Sequence, residues 1–296
     1  MPRGDPELAP DLGRDRRGGQ AAAADGAEAG RPLAATEAQA AQSEVRSELG
    51  LAWWKELLFV AGFYGIYTFI RDEFGSASVG SVHALHNATR VIHLEERLGI
   101  FHEQAIQHWF LQWPNLIRAF NLYYGSLHFV VPVAVLLVLF RRWPRDYRLW
   151  RNTLAATTAL ALIGFSLFPL MPPRLLCDCA YGAGAGVHYG FVDTLARFGG
   201  SWSFDSGAMK DVSNQYAAMP SLHVAWSLWC AAVLVPRLRH TWAKALAALY
   251  PVVTLLAVVV TANHYFLDAV GGALTLLAGY GIARAMRGRV TERPLR

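Results

Sequence analysis

Six long apolar blocks alternate with polar segments between residues 53 and 286. Most of them run for about 20 residues, the length that a helix needs to cross the ~30 Å hydrocarbon core of a bilayer. The blocks cover residues 53–70, 117–140, 152–170, 221–235, 245–262 and 265–286. The fourth is shorter, and a tilt or a locally thinner bilayer accommodates such a segment. The pattern predicts an all-α polytopic membrane protein with six transmembrane helices.

Two longer segments between these blocks have patterns of their own. In residues 71–114, apolar positions recur at helical spacing from 91 to 109, with Glu95, Glu96, Arg97 and Glu103 between them. This predicts one or two amphipathic helices that lie on the outer membrane surface or are partly re-entrant. Residues 171–219 contain Gly-rich turns around 182–190 and a short helical patch at 192–198. Loops of this kind over a rigid scaffold usually shape substrate choice.

The distribution of basic residues predicts how the chain is oriented in the membrane. Clusters of Arg and Lys follow the second, fourth and sixth blocks, whose ends share one side of a six-span chain. The clusters are Arg141, Arg142, Arg145, Arg148 and Arg151; Arg237, Arg239 and Lys244; Arg287, Arg289, Arg293 and Arg296. The positive-inside rule makes that side cytoplasmic. Both termini are then cytoplasmic, and the opposite ends of the later blocks are extracytoplasmic.

Composition divides the chain into three domains. Residues 1–50 carry a net charge of −3, are rich in Ala, Gly, Arg and acidic residues, and contain no aromatic residue. They lack the apolar core of a signal peptide, so we expect a disordered cytoplasmic tail. Residues 51–287 form the membrane-embedded domain and residues 288–296 a basic cytoplasmic tail. Basic residues at helix ends fit a membrane topology and do not predict a nucleic-acid partner.

Neither the cysteines nor the carboxylates predict a metal site. The three cysteines are Cys177, Cys179 and Cys230, and no second Cys-x-Cys pair exists to complete a zinc site. We expect free or loosely paired thiols. The aspartates of residues 171–219 have no ligand spacing either. The chemistry is therefore predicted to need no metal and no cofactor.

The residue types that can carry chemistry lie at the outer ends of the last three blocks. His264 precedes Asp268 by four residues, and positions i and i+4 of a helix share a face, so Asp268 can accept a hydrogen bond from the His264 ring. That bond leaves the other ring nitrogen free to attack phosphorus and form a phosphohistidine. His223, at the start of the fourth block, is the general acid that protonates the leaving oxygen.

Anion-binding candidates flank these histidines. Arg174 follows two prolines and offers a planar fork that matches a phosphate group. Ser221 follows Pro220 at the start of a helix, whose free N–H groups can point at an anion. Lys210 is a weaker candidate in the upstream loop. His128, with Tyr124 one turn and Asn121 two turns before it, either contacts a lipid head group or makes an interhelical hydrogen bond.

These motifs resemble the three-part signature of the type 2 phosphatidic acid phosphatase superfamily. The matching residues are Pro173 and Arg174, then Pro220 to His223, then His264 and Asp268. Within residues 219–226 and 263–272 the chain is similar to the branch of inositol phosphorylceramide synthases and related bacterial membrane proteins. The resemblance implies six membrane helices and a metal-independent mechanism with His264 as nucleophile, Asp268 as its partner and His223 as general acid.

Three positions depart from the fullest pattern of that superfamily. Leu167 and Val258 stand where a phosphate-binding lysine and arginine are expected, and Leu222 replaces a glycine. Two cations are thus missing from the anion cradle, while the His/Asp pair is intact. Leu222 favours the synthase-like branch over the plain phosphatases.

Four functions follow from these observations. The first is a lipid phosphatase, with water as the acceptor of the phosphoryl group. The second is a phosphotransferase that moves a phospho-head group, such as phosphoinositol, from one phospholipid to another lipid. A haem or metal protein would use paired histidines, but the best pair here joins a histidine to a carboxylate. A non-catalytic transporter or scaffold would carry charges inside its spans, and the interiors of the second to fifth blocks lack them.

Overall fold

The computed structural model describes residues 39–41, 43–48, 50–74, 81–176, 189–199 and 215–291. The chain divides into two units, residues 1–50 and residues 51–296. In the first unit, residues 39–41 and 43–48 are helical. The predicted disordered tail falls mostly outside the described residues, as do Lys210, Cys177, Cys179 and the end of the C-terminal tail.

The second unit is helical, and no strand occurs in the residues that the structure describes, so the all-α prediction is confirmed. Its α-helices are α1 (Trp53–Phe74), α2 (Ser81–Leu98), α3 (Glu103–Phe110), α4 (Pro114–Arg142), α5 (Pro144–Leu167), α6 (Thr194–Phe198), α7 (Leu222–Leu234), α8 (Thr241–Val260) and α9 (Phe266–Thr291). A single 3₁₀ turn covers Pro173–Leu176. Prolines at the first position of α4 and α5 suit a helix start, where an N–H group has no partner to lose.

Each of the six apolar blocks forms a helix, and within the described residues three of these helices are long and apolar enough to cross a membrane. They are α4, α8 and residues Phe266–Arg287 of α9. Helix α7 is apolar but shorter. The protein is therefore an integral membrane protein. Helix α5 begins eight residues before the apolar block. The apolar pattern did not include its first two turns, because they carry the charged residues Arg145, Asp146 and Arg148.

The segment predicted to be amphipathic forms two helices, α2 and α3. Helix α2 begins ten residues earlier than the apolar pattern indicated, because the small residues Ala84 and Ala88 continue its buried face. That face packs against a core formed by Leu170, Met171 and Tyr265 among others. Helix α6 begins two residues later than predicted, because Asp193 caps it by accepting from the N–H groups of Leu195 and Ala196.

The short helix α7 lies at the centre of the bundle and contacts α4, α5, α8 and α9. The indole N–H groups of Trp226 and Trp229 donate to α5, to the hydroxyl of Thr158 and the carbonyl of Trp150, at 3.0 Å each. The most extensive contact among the described helices joins α5 and α9. A methyl group on Gly279 of α9 would lie 2.8 Å from the backbone nitrogen of Thr157, so this glycine allows the close approach. The central position of α7 brings its first residues to the start of α9.

Candidate active site

Three chain segments that are far apart in sequence meet through backbone hydrogen bonds. Leu170 pairs with Ala217 in an isolated parallel bridge. The N–H of Arg174 donates to the carbonyl of Ala262 at 2.7 Å, and the N–H of Ser221 donates to the carbonyl of Asp268 at 2.9 Å. The segments that carry Arg174, His223 and His264 are thereby held together, as the sequence analysis predicted for one end of the bundle.

His264 and Asp268 form the predicted pair, with 3.2 Å between His264 Nδ1 and Asp268 Oδ2. His264 is 3% exposed and Asp268 is fully buried. Helix α9 begins only at Phe266, so the pair spans the helix N-terminus and does not lie on one face of a continuous helix. The same Asp268 oxygen accepts from the N–H of Tyr265 at 2.9 Å. Asp268 is therefore oriented by the backbone as well as by the imidazole ring.

His223 contacts the other side of the His264 ring, with 3.2 Å between His223 Nδ1 and His264 Nε2. Because a carboxylate only accepts, His264 carries its proton on Nδ1 and has a lone pair on Nε2. His223 must then donate from Nδ1. The resulting chain of hydrogen bonds runs from His223 through His264 to Asp268. The Nε2 atom of His223 is buried and has no hydrogen-bond partner among the described residues.

Aromatic side chains from α4 and α7 pack around the His223 ring. Tyr124 stacks on it at 4.4 Å between ring centroids and an angle of 17°, and the His128 ring lies 4.1 Å away. His128 Nδ1 donates to the carbonyl of Tyr124 at 2.8 Å, and the Trp226 ring stacks on the His128 ring. This packing restricts the orientation of His223. Tyr124 and His128, two of the three candidate substrate-binding residues, therefore lie at the site.

Asn121, the third candidate substrate-binding residue, contacts a different part of the structure. Its amide nitrogen donates to the carbonyls of Thr194 and Gly199 at 2.9 and 2.8 Å. Its amide oxygen accepts from the hydroxyl of Thr194 at 2.9 Å. The side chain of Asn121 thus joins α4 to both ends of α6.

Arg174 is almost completely buried, at 6% exposure. Its Nε donates to Asn263 Oδ1 at 3.0 Å, and its Nη1 lies 3.5 Å from Asp193 Oδ2. Asn263 directly precedes His264, so the guanidinium group is held beside the backbone of the proposed nucleophile. The sequence analysis did not identify Asn263 or Asp193. The sequence feature that could have identified Asn263 is its position as a polar residue directly before the motif histidine His264.

Ser221 is fully buried, and its hydroxyl caps α7 by accepting from the N–H of Val224 at 3.4 Å. The N-terminus of α7 packs very closely on α9 at Gly272: a methyl group there would lie 2.4 Å from the carbonyl oxygen of Ser221. Lys210 lies outside the described residues. Of the positions that depart from the superfamily pattern, Val258 is buried in the core and Leu167 is exposed.

Two glutamates that the sequence analysis treated as the polar positions of amphipathic helices are also buried near the site. Glu103 Oε1 accepts from the N–H of Phe266 at 2.8 Å, and Glu95 Oε1 accepts from the N–H of Leu267 at 2.7 Å. A signal for Glu95 was present, because it follows the apolar Val91 by one helical turn. Among the described residues, no group of three or more His, Cys, Asp or Glu side chains is arranged to hold a metal ion.

Comparison with known proteins identifies one family. A family model described as the PAP2 superfamily matches residues 89–282, which covers α3 to α8 and most of α2 and α9. No curated protein matches the chain. No solved structure matches it either.

Proposed function

Because the chain belongs to the PAP2 superfamily, we propose that it is a membrane phosphatase that hydrolyses lipid phosphate esters through a phosphohistidine on His264. One observation carries the proposal, the continuous hydrogen-bond chain from His223 through His264 to Asp268. It leaves a lone pair on the inner nitrogen of His264 and a proton on the facing nitrogen of His223. Nucleophilic attack on phosphorus with departure of an alcohol requires these two features.

In the first step, the phosphoryl group of the substrate enters between the two imidazole rings. His264 Nε2 attacks phosphorus, an N–P bond forms and the P–O bond to the lipid breaks. Protonated His223 donates its proton to the leaving oxygen, which departs as the lipid alcohol. Asp268 stabilises the positive charge that develops on His264, because its carboxylate accepts a hydrogen bond from Nδ1–H throughout.

The negative charge on the phosphoryl oxygens needs donors in the transition state. Arg174 is the proposed donor, since Asn263 and Asp193 orient its guanidinium beside the His264 backbone. The N-terminus of α7 adds the partial positive charge of its helix dipole, and Ser221 contributes as the residue that caps this helix. Lys210 remains a candidate from the upstream loop.

In the second step, His223 acts as the base. It removes a proton from a water molecule, whose oxygen attacks the phosphorus of the phosphohistidine. The N–P bond breaks, inorganic phosphate leaves, and His264 regains its neutral form with the proton on Nδ1. His223 ends the cycle protonated, ready for the next leaving group.

We also propose that α1, α5 and α7 complete a set of six transmembrane helices, with both termini in the cytoplasm. The distribution of arginines supports this topology, because the basic clusters follow α4, α7 and α9. The site would then face the extracytoplasmic side, where a lipid phosphate lies at the level of the head groups. Residues 1–50 and 288–296 are proposed as cytoplasmic tails of the membrane-embedded domain.

A specific observation favours phosphotransfer as a second candidate function. Both His264 and Asp268 are almost completely buried, which limits the access of bulk water to the nucleophile. A lipid hydroxyl group would then replace water in the second step, and the donor would be a phosphodiester lipid. The resemblance of Leu222 and its neighbours to the inositol phosphorylceramide synthases supports the same reading.

The test uses full-length protein in lipid nanodiscs, assayed both with and without EDTA. The donors are labelled phosphatidic acid, an isoprenyl diphosphate and phosphatidylinositol, each with and without an acceptor lipid such as ceramide. The test variant is His264→Ala. Its matched control is His93→Ala, because His93 lies on the exposed side of α2. We expect His264→Ala to lower turnover by at least about 10³-fold and His93→Ala to match the wild type.

The products separate the two functions. Free phosphate without an acceptor establishes hydrolysis, and label on the acceptor lipid establishes transfer. Acid-labile label on the protein, absent from His264→Ala, identifies the intermediate. Equal turnover of His264→Ala and the wild type would refute the mechanism, and a loss of activity in EDTA would refute its independence of metal ions.

A further inference from the structure

The N-terminus of α9 is bound by carboxyl groups from three different helices. The N–H of Tyr265 donates to Asp268, that of Phe266 to Glu103 of α3, and that of Leu267 to Glu95 of α2, at 2.9, 2.8 and 2.7 Å. These are the consecutive N–H groups that a helix start leaves unpaired. The backbone that carries His264 and Asp268 is therefore attached directly to α2 and α3.

The two glutamates must lie side by side, because they accept from consecutive N–H groups of one helical turn. Both side chains are fully buried. Each uses Oε1 for the backbone bond, while Glu95 Oε2 and Glu103 Oε2 have no partner among the described residues. Two ionised carboxylates in this arrangement would repel each other and leave two buried oxygens without donors, at a large cost in free energy.

One proton between the two carboxyl groups removes both problems. A protonated carboxyl donates to its ionised neighbour, so both second oxygens take part in one hydrogen bond. Burial, and after it the neighbouring Glu103 carboxyl, raise the pKa of Glu95 to about 9, as expected for a proton that is held at neutral pH. The remaining single negative charge is favourable at a helix N-terminus.

We propose that Glu95 and Glu103 share one proton and act as positioning residues for the His264–Asp268 pair. The proposal rests on the proposed function, since it concerns the geometry of the same reaction. The pair fixes the first turn of α9, and this turn sets the direction of Asp268 through the Tyr265 N–H. With one proton, the pair also adds only one negative charge beside Asp268.

The test combines alanine and glutamine substitutions at the two positions. Glu95→Gln or Glu103→Gln keeps an oxygen for the backbone N–H and places an amide donor where the shared proton was. In the double glutamine variant the two amide NH₂ groups face each other, and no acceptor remains between them. The matched control is Glu96→Gln, which changes a neighbouring exposed carboxylate on α2.

Turnover is measured in nanodiscs together with the ¹⁵N and ¹H signals of histidine-labelled protein. We expect Glu95→Ala and Glu103→Ala to lower kcat at least about tenfold with KM within about twofold, because the reacting groups are displaced while the substrate still binds. Single glutamine variants should recover most of that loss, and the double glutamine variant should not. The Nδ1–H signal of His264 should shift in the alanine and double variants alone.

The shared proton is refuted if a single glutamine is as damaging as alanine, the result expected for a bound cation that requires the charge of both carboxylates. A positioning role is refuted if the alanine variants leave kcat and the His264 signal unchanged. The spectra decide the proposal even if the wild type turns over none of the substrates. A wild type without turnover would count against the proposed function, whereas unchanged spectra of the alanine variants would count against the positioning role. The two failures are therefore distinguishable.

Discussion

Substitution of Gly272 by alanine tests whether the contact between α9 and the start of α7 controls the distance between the two histidines. A methyl group at this position would lie 2.4 Å from the backbone oxygen of Ser221, 3.3 Å from its carbonyl carbon and 3.4 Å from the backbone nitrogen of Ala225. All three are backbone atoms, so no side-chain rotation relieves the clash. An ordinary contact requires the two helices to separate by about 1 Å.

Two opposing effects determine how much the substitution changes the free energy of unfolding. Replacing glycine by alanine inside a helix stabilises it by about 1 kcal/mol, whereas overpacking a close contact costs about 1–3 kcal/mol. The net loss of stability is therefore small, roughly 0–2 kcal/mol. Catalysis is more sensitive, because His223 moves with α7 and His264 with the start of α9, and their facing nitrogens Nδ1 and Nε2 now lie 3.2 Å apart. A displacement of about 1 Å costs ~100-fold in rate.

The assay compares Gly272→Ala with Gly281→Ala on the same helix. A methyl group at Gly281 meets no atom within 4 Å, so this variant gains the helix propensity without the clash. We expect kcat to fall about 100-fold in Gly272→Ala and to stay at the wild-type value in Gly281→Ala, while both variants remain folded at the assay temperature. Equal kcat values in the two variants would refute the argument that this contact sets the distance between the rings.

Three further predictions concern Asp268, Arg174 and Glu95. Asp268→Asn should lower kcat by about 10²–10⁴-fold, because the amide no longer stabilises the His264 proton on Nδ1; unchanged turnover would contradict this role. Arg174→Lys should lower kcat/KM by about tenfold or more, since one ammonium group cannot replace a fork that also binds Asn263; Arg118→Lys, on the exposed part of α4, is its control. The free energy of unfolding should fall as the pH rises from about 4.5 to about 9, because the native state retains a proton at the Glu95 carboxyl that the unfolded chain releases. Unfolding in detergent across this range should show a flatter profile for Glu95→Gln, and identical profiles would contradict the shared proton.

Local patterns in the sequence were sufficient for the helices and for the His264–Asp268 pair. Apolar blocks of membrane length have few alternatives to a helix, because every backbone polar group must be bonded within the segment. The pair was predictable because four residues of chain bring the two side chains together whether they lie on one helical face or, as found, across a helix start. The spacing of apolar residues from 91 to 109 also predicted one or two helices there, and the structure has two, of which α2 begins ten residues earlier.

Only the tertiary structure decided how the groups of the site contact one another. His223 and His264 are separated by 41 residues, and their contact depends on the close approach of α7 to α9 at Gly272. The partners of Arg174 likewise come from two other segments. The contact between Glu95 and Glu103 could not be predicted from the sequence, because charged residues between apolar positions normally face water. Their burial is favourable only once the first turn of α9 supplies donors to both, and no periodicity along the chain encodes that contact.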